Sequence, residues 1–161
     1  MDTAWETELA TLLSELSSVQ DDLLDLLTKK RQFLVKTDVA GMQSLAGREQ
    51  ELIERLQACQ QNRSRLLERA GQQGLPRGSI RALAAALPAP GRKELARQVQ
   101  DAATRARLLQ HQSLTNWVLV QRTLLHLSQL LEIIATGGRM RTTYGKGEHA
   151  HASGALVDRA A

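Results

Sequence analysis

The feature that most limits how this chain can fold is a run of large apolar residues that are alternately four and three positions apart. The run consists of Trp5, Leu9, Leu12, Leu16, Val19, Leu23 and Leu26. Because an α-helix completes a turn in about 3.6 residues, this spacing places all of them along one stripe of a helix. The stripe predicts that other helices pack along it. Thr3 and Glu6 have the spacing of a capping box, and we predict a helix over residues 3–36.

A second apolar stripe follows Thr37 and Asp38, which we interpret as a break and as the cap of the next helix. The stripe consists of Met42, Leu45, Glu49, Leu52, Leu56, Cys59, Arg63 and Leu66. It predicts a helix over residues 38–70. Gly41 and Gly47 should weaken its first turns, because glycine disfavours helix interiors.

Three members of this second stripe are not ordinary core residues. Glu49 and Arg63 are charged, and we expect them to pair or to reach solvent. Cys59 is the only cysteine in the chain. We interpret it as a small core residue rather than a reactive thiol.

The second half of the chain predicts a connector, a long helix and a tail. All three prolines lie in residues 72–91, where we predict a connector with a short helix over 80–87. A third long helix is predicted over 91–136. Its stripe consists of Leu95, Val99, Ala102, Ala106, Leu109, Ser113, Asn116, Val120, Thr123, Leu127, Leu130 and Ile134. Residues 137–161 have no helical period and contain several glycines, which predicts a flexible tail.

Together these patterns predict an all-α fold. We expect an elongated antiparallel bundle of three long helices over residues 1–136, with the tail outside it. Aromatic residues make up only 2% of the chain, so the core must be aliphatic, which favours helices over a sheet. A single cysteine excludes an intramolecular disulfide. The acidic N-terminus and the lack of an apolar run of about 20 residues predict a cytoplasmic protein without membrane insertion.

Charge is distributed unevenly along the chain. Residues 1–28 contain seven acidic and no basic residues, a net charge of 0 − 7 = −7, and residues 29–161 carry 21 − 10 = +11. One reading is a basic surface for nucleic acid. The other reading is an acidic helix that lies beside basic ones. We favour the second reading and expect no nucleic-acid partner, because the basic residues are dispersed and stacking aromatic residues are missing.

The sequence shows no constellation of residues suited to catalysis. The carboxylates fall mainly on the polar faces of the predicted helices, and His111 and His126 have no partner at ligand spacing. His149 and His151 could bind a metal loosely, but we interpret them as spacer sequence. We therefore predict neither an enzyme nor a cofactor or metal site.

The last third of the third helix carries apolar residues in several directions. They are Leu124, Leu125, Leu127, Leu130, Leu131, Ile133 and Ile134. These residues could close the end of the bundle core. They could equally form a surface for a partner helix, because amphipathic helices are recognised by apolar grooves and faces.

Three segments of the sequence resemble the FlgN-type flagellar export chaperones. The first is the Leu-rich opening helix with its break at Thr37-Asp38 and the following Arg48-Glu49-Gln50-Glu51-Leu52-Ile53. The second is His111-Gln112-Ser113-Leu114-Thr115-Asn116-Trp117-Val118-Leu119, which is similar to an Asn-containing segment leading into a Leu-rich helix that binds the partner. The third is Thr143-Tyr144-Gly145-Lys146-Gly147, which resembles an element in the tails of these chaperones.

The resemblance implies a chaperone for the hook-associated proteins of the hook–filament junction. Such a chaperone would bind the C-terminal helical region of its substrate, prevent premature assembly and deliver the substrate to the flagellar export gate. By position, the resemblance implies that the substrate contacts are Asn116, Val120, Leu124, Leu127, Leu130, Leu131 and Ile134. It implies in the same way that Tyr144 and Gly145 contact the export gate.

Two alternatives remain open at the level of sequence. The same surface could serve a generic helical adaptor or coiled-coil scaffold. The long stripes could also support a homodimer, with Trp5 or the start of the second helix as the contact.

Overall fold

The computed structural model describes the backbone of residues 2–136 and the side chains of residues 4–88 and 91–136. These residues form five helices and no strand, so the prediction of an all-α fold is confirmed. The helices are α1 (Asp2–Lys36), α2 (Val39–Ser44), α3 (Ala46–Gln72), α4 (Ile80–Ala86) and α5 (Ala89–Thr136).

The chain divides into two compact units, Met1–Leu124 and Leu125–Ala161. The first unit contains α1 to α4 and most of α5. The second unit begins within α5. The domain boundary expected after residue 136 stays a prediction, because residues 137–161 lie outside the described part of the chain.

Within the first unit, α3 runs antiparallel to α1. Arg69 near the end of α3 forms an ion pair with Glu8 near the start of α1. Lys30 near the end of α1 forms an ion pair of 2.7 Å with Glu49 near the start of α3. The latter pair agrees with the expectation that Glu49 finds a cation.

Helix α5 runs parallel to α1 within the same unit. Gln20 Nε2 donates a 3.0 Å hydrogen bond to the carbonyl of Ala102, and Asn116 Nδ2 donates one of 2.8 Å to the carbonyl of Leu27. The position on α5 therefore rises with the position on α1. The three long helices follow an up-down-up order, as predicted for an antiparallel bundle.

The core of the first unit is aliphatic. Its most completely buried large side chains are Leu9, Val19, Leu52, Leu83 and Leu87. Cys59 is buried among them, as predicted, and burial is the main reason that the pKa of its thiol is raised. Because α4 contributes Leu83, the connector is part of the core.

Trp5 is also buried, and its polar atom has a partner. The indole Nε1 donates a 3.1 Å hydrogen bond to Gln73 Oε1, and the guanidinium of Arg69 lies 4.6 Å from the ring centroid. Both the indole N–H and the ring of Trp5 therefore have partners within the same chain. This geometry gives no support to Trp5 as a dimer contact.

The first helix ends at Thr37 in a left-handed conformation. Thr37 has φ of 54°, and the N–H of Asp38 bonds to the carbonyl of Phe33 at 2.9 Å. This is the hydrogen-bond pattern that follows many helix C-termini, although glycine usually occupies the left-handed position. Asp38 then caps α2, because its Oδ1 accepts a 2.8 Å bond from the N–H of Gly41.

One helix was expected over residues 38–70, and the structure has two. Helices α2 and α3 are separated at Leu45, whose N–H bonds to the carbonyl of Met42 three residues earlier, at 3.2 Å. Gly41 and Gly47 flank this tighter turn. Their low helix propensity gives the sequence reason for the interruption.

Hydrogen bonds cap the two helices that border the connector, at the end of α3 and at the start of α4. Gly74, with φ of 76°, ends α3, and the N–H of Leu75 bonds to the carbonyl of Ala70 at 2.9 Å. Ser79 Oγ accepts a 3.0 Å bond from the N–H of Ala82 and caps α4. Glu6, expected to fold back on its own helix, instead accepts a bond from the N–H of Gly91 at 3.2 Å.

The acidic residues of α1 lie beside basic residues of α3 and α5. Asp22 pairs with Arg48 at 3.0 Å and with Arg55 at 2.7 Å, and Asp21 pairs with Arg105 at 2.7 Å. The interpretation that an acidic helix packs against basic ones is confirmed for these pairs.

Candidate functional site: the apolar surface of α5

The residues that the sequence predicted for the substrate site divide between the two units of the chain. Asn116, Val120 and Leu124 belong to the first unit. Leu127, Leu130, Leu131 and Ile134 belong to the second.

Asn116 is a buried residue with partners in its own chain. Its side chain is 6% exposed, its Nδ2 donates to the carbonyl of Leu27, and its Oδ1 accepts a 3.3 Å bond from Arg31 Nε. Both amide atoms are thus engaged with α1. As a predicted substrate contact, Asn116 would have to lose these bonds before it could bind another chain.

The other two predicted residues of the first unit differ in exposure. Val120, one helical turn after Asn116, is half-buried, and Leu124 is exposed. The stripe of α5 thus passes from a buried amide to an open leucine within eight residues. After Asn116, no residue of α5 within the first unit makes a hydrogen bond or ion pair with another described helix.

The four predicted residues of the second unit lie on one face of the helix. Leu127, Leu130, Leu131 and Ile134 have the spacing i, i+3, i+4, i+7, and their exposed fractions lie between 41% and 75%. Leu125 and Ile133 are exposed on other faces. Every described residue of 125–136 is exposed. Large aliphatic side chains are normally buried, and a contiguous exposed group of them marks an interaction surface.

Sequence reasoning missed a second exposed apolar group on α5. Leu114, Trp117 and Val118 are between 39% and 62% exposed. They do not belong to the apolar stripe of α5 that the sequence predicted to be its buried face. Their own spacing, i, i+3, i+4, was the signal that could have identified them.

The tail residues that the sequence analysis discussed belong to the part of the chain that the structure does not describe. Tyr144 and Gly145, the predicted gate contacts, lie outside the described residues, and so do His149 and His151. Among the residues that the structure describes, no group of three or more His, Cys, Asp or Glu side chains could hold a metal ion.

One described helical segment, residues 91–136, is long and apolar enough to cross a membrane by length and composition alone, with a mean hydropathy of 1.2 in its best window. None of that window is buried in the structure, so it does not pass the test in the way that a core helix does. A single helix of this length and composition is weak evidence for a membrane span.

Comparison with known proteins identifies the family. The family model for the FlgN protein matches residues 1–151. The chain belongs to the FlgN protein family. No curated protein and no solved structure matches the chain. The FlgN match extends from α1 beyond the described residues and includes Tyr144 and Gly145, so the resemblance inferred from the three sequence segments is confirmed.

Membership of the FlgN family indicates a flagellar export chaperone rather than an enzyme. A FlgN protein that holds another polypeptide needs apolar surface that its own fold leaves uncovered. Leucine and isoleucine side chains are exposed in the second unit. The aliphatic core of the first unit is instead used for folding.

Proposed function

We propose that this FlgN-family protein is a cytoplasmic chaperone of the flagellar type III export system that binds hook-associated proteins. The substrate contacts in the second unit are Leu127, Leu130, Leu131 and Ile134. By covering a terminal helix of the substrate, the chaperone prevents premature assembly and delivers the substrate to the export gate. The observation that carries the proposal is the exposure of these four side chains on one helical face, in a chain that belongs to the FlgN family.

The physical basis of binding is burial of apolar surface. Each Å² of apolar surface removed from water contributes roughly 25 cal/mol before the costs of association and ordering. A leucine and isoleucine face has no hydrogen-bonding pattern to satisfy, so apolar contact rather than polar pairing would hold the substrate helix. Such contacts are reversible, as an export chaperone requires.

Val120 and Leu124 remain predicted contacts in the first unit, where they are half-buried and exposed, respectively. Asn116 is not among the proposed substrate contacts, because its amide already bonds to α1. Tyr144 and Gly145 remain the proposed contacts to the export gate.

Substrate binding is tested by capture of purified hook-associated proteins with the full chain and with the variant Leu131→Asp. We expect the variant to lose capture while circular dichroism shows unchanged helix content, because a carboxylate would have to be buried in the complex. The matched control is Gln129→Asp, since Gln129 is exposed on the same helix but is polar already. Capture by a folded Leu131→Asp variant at the level of the control would exclude this face.

The tail is tested separately with Tyr144→Ala and with a chain that ends at Thr136. Tyr144→Ala should leave the affinity for hook-associated proteins unchanged and reduce their export from cells. Normal export by that variant would remove Tyr144 from the proposal. If no form of the chain captures hook-associated proteins, the protein is better described as a helical adaptor for another partner.

A further inference from the structure

A second face of α5, within the first unit, is uncovered and apolar. Leu114, Trp117 and Val118 occupy neighbouring turns and are 62%, 59% and 39% exposed. We call these three residues the Trp117 face. They lie on the opposite side of the helix from Asn116, because Val118 follows Asn116 by two residues, or about 200° at 100° per residue.

The first turns of α5 border the short helix α4. Ala96, Val99 and Gln100 line a shared cavity with residues of the short helix α4, and Arg81 Nη2 of α4 donates a 3.1 Å bond to Gln100 Oε1. Eighteen residues make about five helical turns, so each residue of α5 points in the same direction as the one 18 positions later. The residues that follow by 18 are Leu114, Trp117 and Val118.

The Trp117 face therefore lies on the same side of α5 as the residues that border α4. Beside α4 the side chains of α5 are small or polar, and Ala96 and Gln100 stay exposed at the open cavity. In the Trp117 face the side chains are large and apolar, and no described helix covers them. A helix that packs on the Trp117 face would be one from another molecule.

The charges around the Trp117 face indicate which charge a helix that binds there would carry. Residues 102–131 contain no Asp or Glu. Arg107 lies two turns before Leu114, and Arg122 one turn after Val118, so both lie on the same side of the helix as the face. Neither arginine makes an ion pair or hydrogen bond with a described residue, in contrast to Arg105, which pairs with Asp21.

We propose that the Trp117 face binds an acidic amphipathic helix of another protein. The apolar side of that helix packs on Leu114, Trp117 and Val118, and its carboxylates pair with Arg107 and Arg122. Tryptophan and arginine are the residues that most often dominate the energy of such interfaces. The complementary charges would steer the encounter and fix the orientation of the partner.

A second copy of this chain fits the same face poorly. Two α5 helices packed antiparallel through their Trp117 faces would bring Arg107 of one copy close to Arg122 of the other. Like charges at that position oppose association. The charges therefore favour an acidic partner over self-association.

The experiment uses the full chain and two synthetic peptides that form amphipathic helices. One peptide has heptads of Leu and Glu, and the other is the same sequence with Lys in place of Glu. Fluorescence anisotropy of labelled peptides measures the affinities. We expect the acidic peptide to bind, the basic peptide to bind much more weakly, and added salt to weaken the acidic complex.

Variants then locate the site. Trp117→Ala should weaken binding of the acidic peptide by roughly tenfold or more. The double variant Arg107→Glu, Arg122→Glu should reverse the preference in favour of the basic peptide. Leu131→Asp should leave the affinity for the acidic peptide unchanged, which separates this surface from the substrate contacts proposed above. Leu114→Ala provides a second apolar test if Trp117→Ala has lost helix content.

Four outcomes would overturn the proposal. They are equal affinity for the two peptides, unchanged affinity in the Trp117→Ala and Leu114→Ala variants, loss of the acidic peptide in Leu131→Asp, and self-association of the chain that Trp117→Ala abolishes. The last outcome would show that the Trp117 face binds a second copy of the chain.

Discussion

Asn116 of α5 donates a 2.8 Å hydrogen bond to the main-chain carbonyl of Leu27, which lies in α1. Gln20 of α1, also buried, bonds in the same way to the carbonyl of Ala102 in α5. Buried polar residues between two helices specify how the helices align, because any sliding leaves their amides without partners. Asn116 thus sets the alignment of α5 and α1 near the end of the first unit.

We therefore predict that Asn116→Ala destabilises the fold. Loss of the bonds to Leu27 and Arg31 should lower the free energy of unfolding by about 1–2 kcal/mol. Urea unfolding followed by circular dichroism measures the change. Ser113→Ala is the control, because Ser113 is exposed one turn earlier on the same helix, and its effect should stay within about 0.5 kcal/mol. An unchanged stability in Asn116→Ala, together with lost capture of hook-associated proteins, would favour a direct role in binding.

Gly41 and Gly47 should respond in opposite ways to substitution by alanine. A Cβ on Gly41 would lie 2.5 Å from Cδ1 of Phe33, whereas a Cβ on Gly47 would have nothing within 4 Å. Gly41→Ala should lower the free energy of unfolding by about 1–3 kcal/mol through overpacking. Gly47→Ala should raise it by about 0.5 kcal/mol, because alanine favours the helix. Stabilisation by both substitutions would show that Phe33 does not pack against α2 in this way.

Thr37→Gly should stabilise the protein. A β-branched residue at φ of 54° is strained, and glycine adopts this conformation freely. We expect a gain of about 0.5–1 kcal/mol in the free energy of unfolding, since the left-handed conformation costs other residues roughly 1–2 kcal/mol. The converse substitution, Gly74→Ala at φ of 76°, should cost a similar amount. A loss of stability in Thr37→Gly would contradict the left-handed assignment.

The thiol of Cys59 should be protected from reagents in the folded protein. Burial, and then the nearby Glu15 carboxylate, raise the pKa of this thiol from its usual value of 9.0. Since the thiolate is the reactive form, labelling at pH 8 should follow unfolding rather than solvent access in the native state. Titration with a chromogenic disulfide, with and without urea, gives the two rates. Rapid labelling of the native chain would place Cys59 at the surface.

The same shift has a consequence for stability at high pH. A raised pKa in the folded state means that the unfolded chain loses its proton first as the pH rises. The contribution of Cys59 is then complete below the pKa of the unfolded thiol and is lost as the pH rises through the folded value. Cys59→Ala should remove this part of the alkaline decline, which denaturation at pH 8 and pH 10 compares.

Periodicity alone predicted the helices of this protein but not which of their apolar residues are covered. The stripe of α5 reads as one continuous series from Leu95 to Ile134, yet Leu95 is buried and Ile134 is exposed. Which part of such a stripe is covered depends on long-range packing, which no local pattern contains. The capping roles of Asp38 and Ser79 were predictable, because a cap depends on residues only three positions apart.

The site could be predicted only in part for the same reason. Asn116 and Leu130 stand on one sequence stripe, but one side chain bonds to α1 and the other is exposed. Glu6 had the spacing to cap its own helix. Its carboxylate instead accepts a hydrogen bond from the N–H of Gly91, which lies 85 positions later in the sequence. Such long-range partners depend on the packing of whole helices rather than on local spacing.

The pairing of acidic α1 with basic helices has a consequence for the newly made chain on the ribosome. Synthesis produces the leucine-rich α1 before α3 and α5, and residues 1–28 carry seven carboxylates and no cation. Mutual repulsion of these carboxylates opposes premature association of nascent chains through their apolar stripes. When Arg48, Arg55 and Arg105 have been made, they neutralise Asp22 and Asp21, and α1 can be enclosed by its own chain.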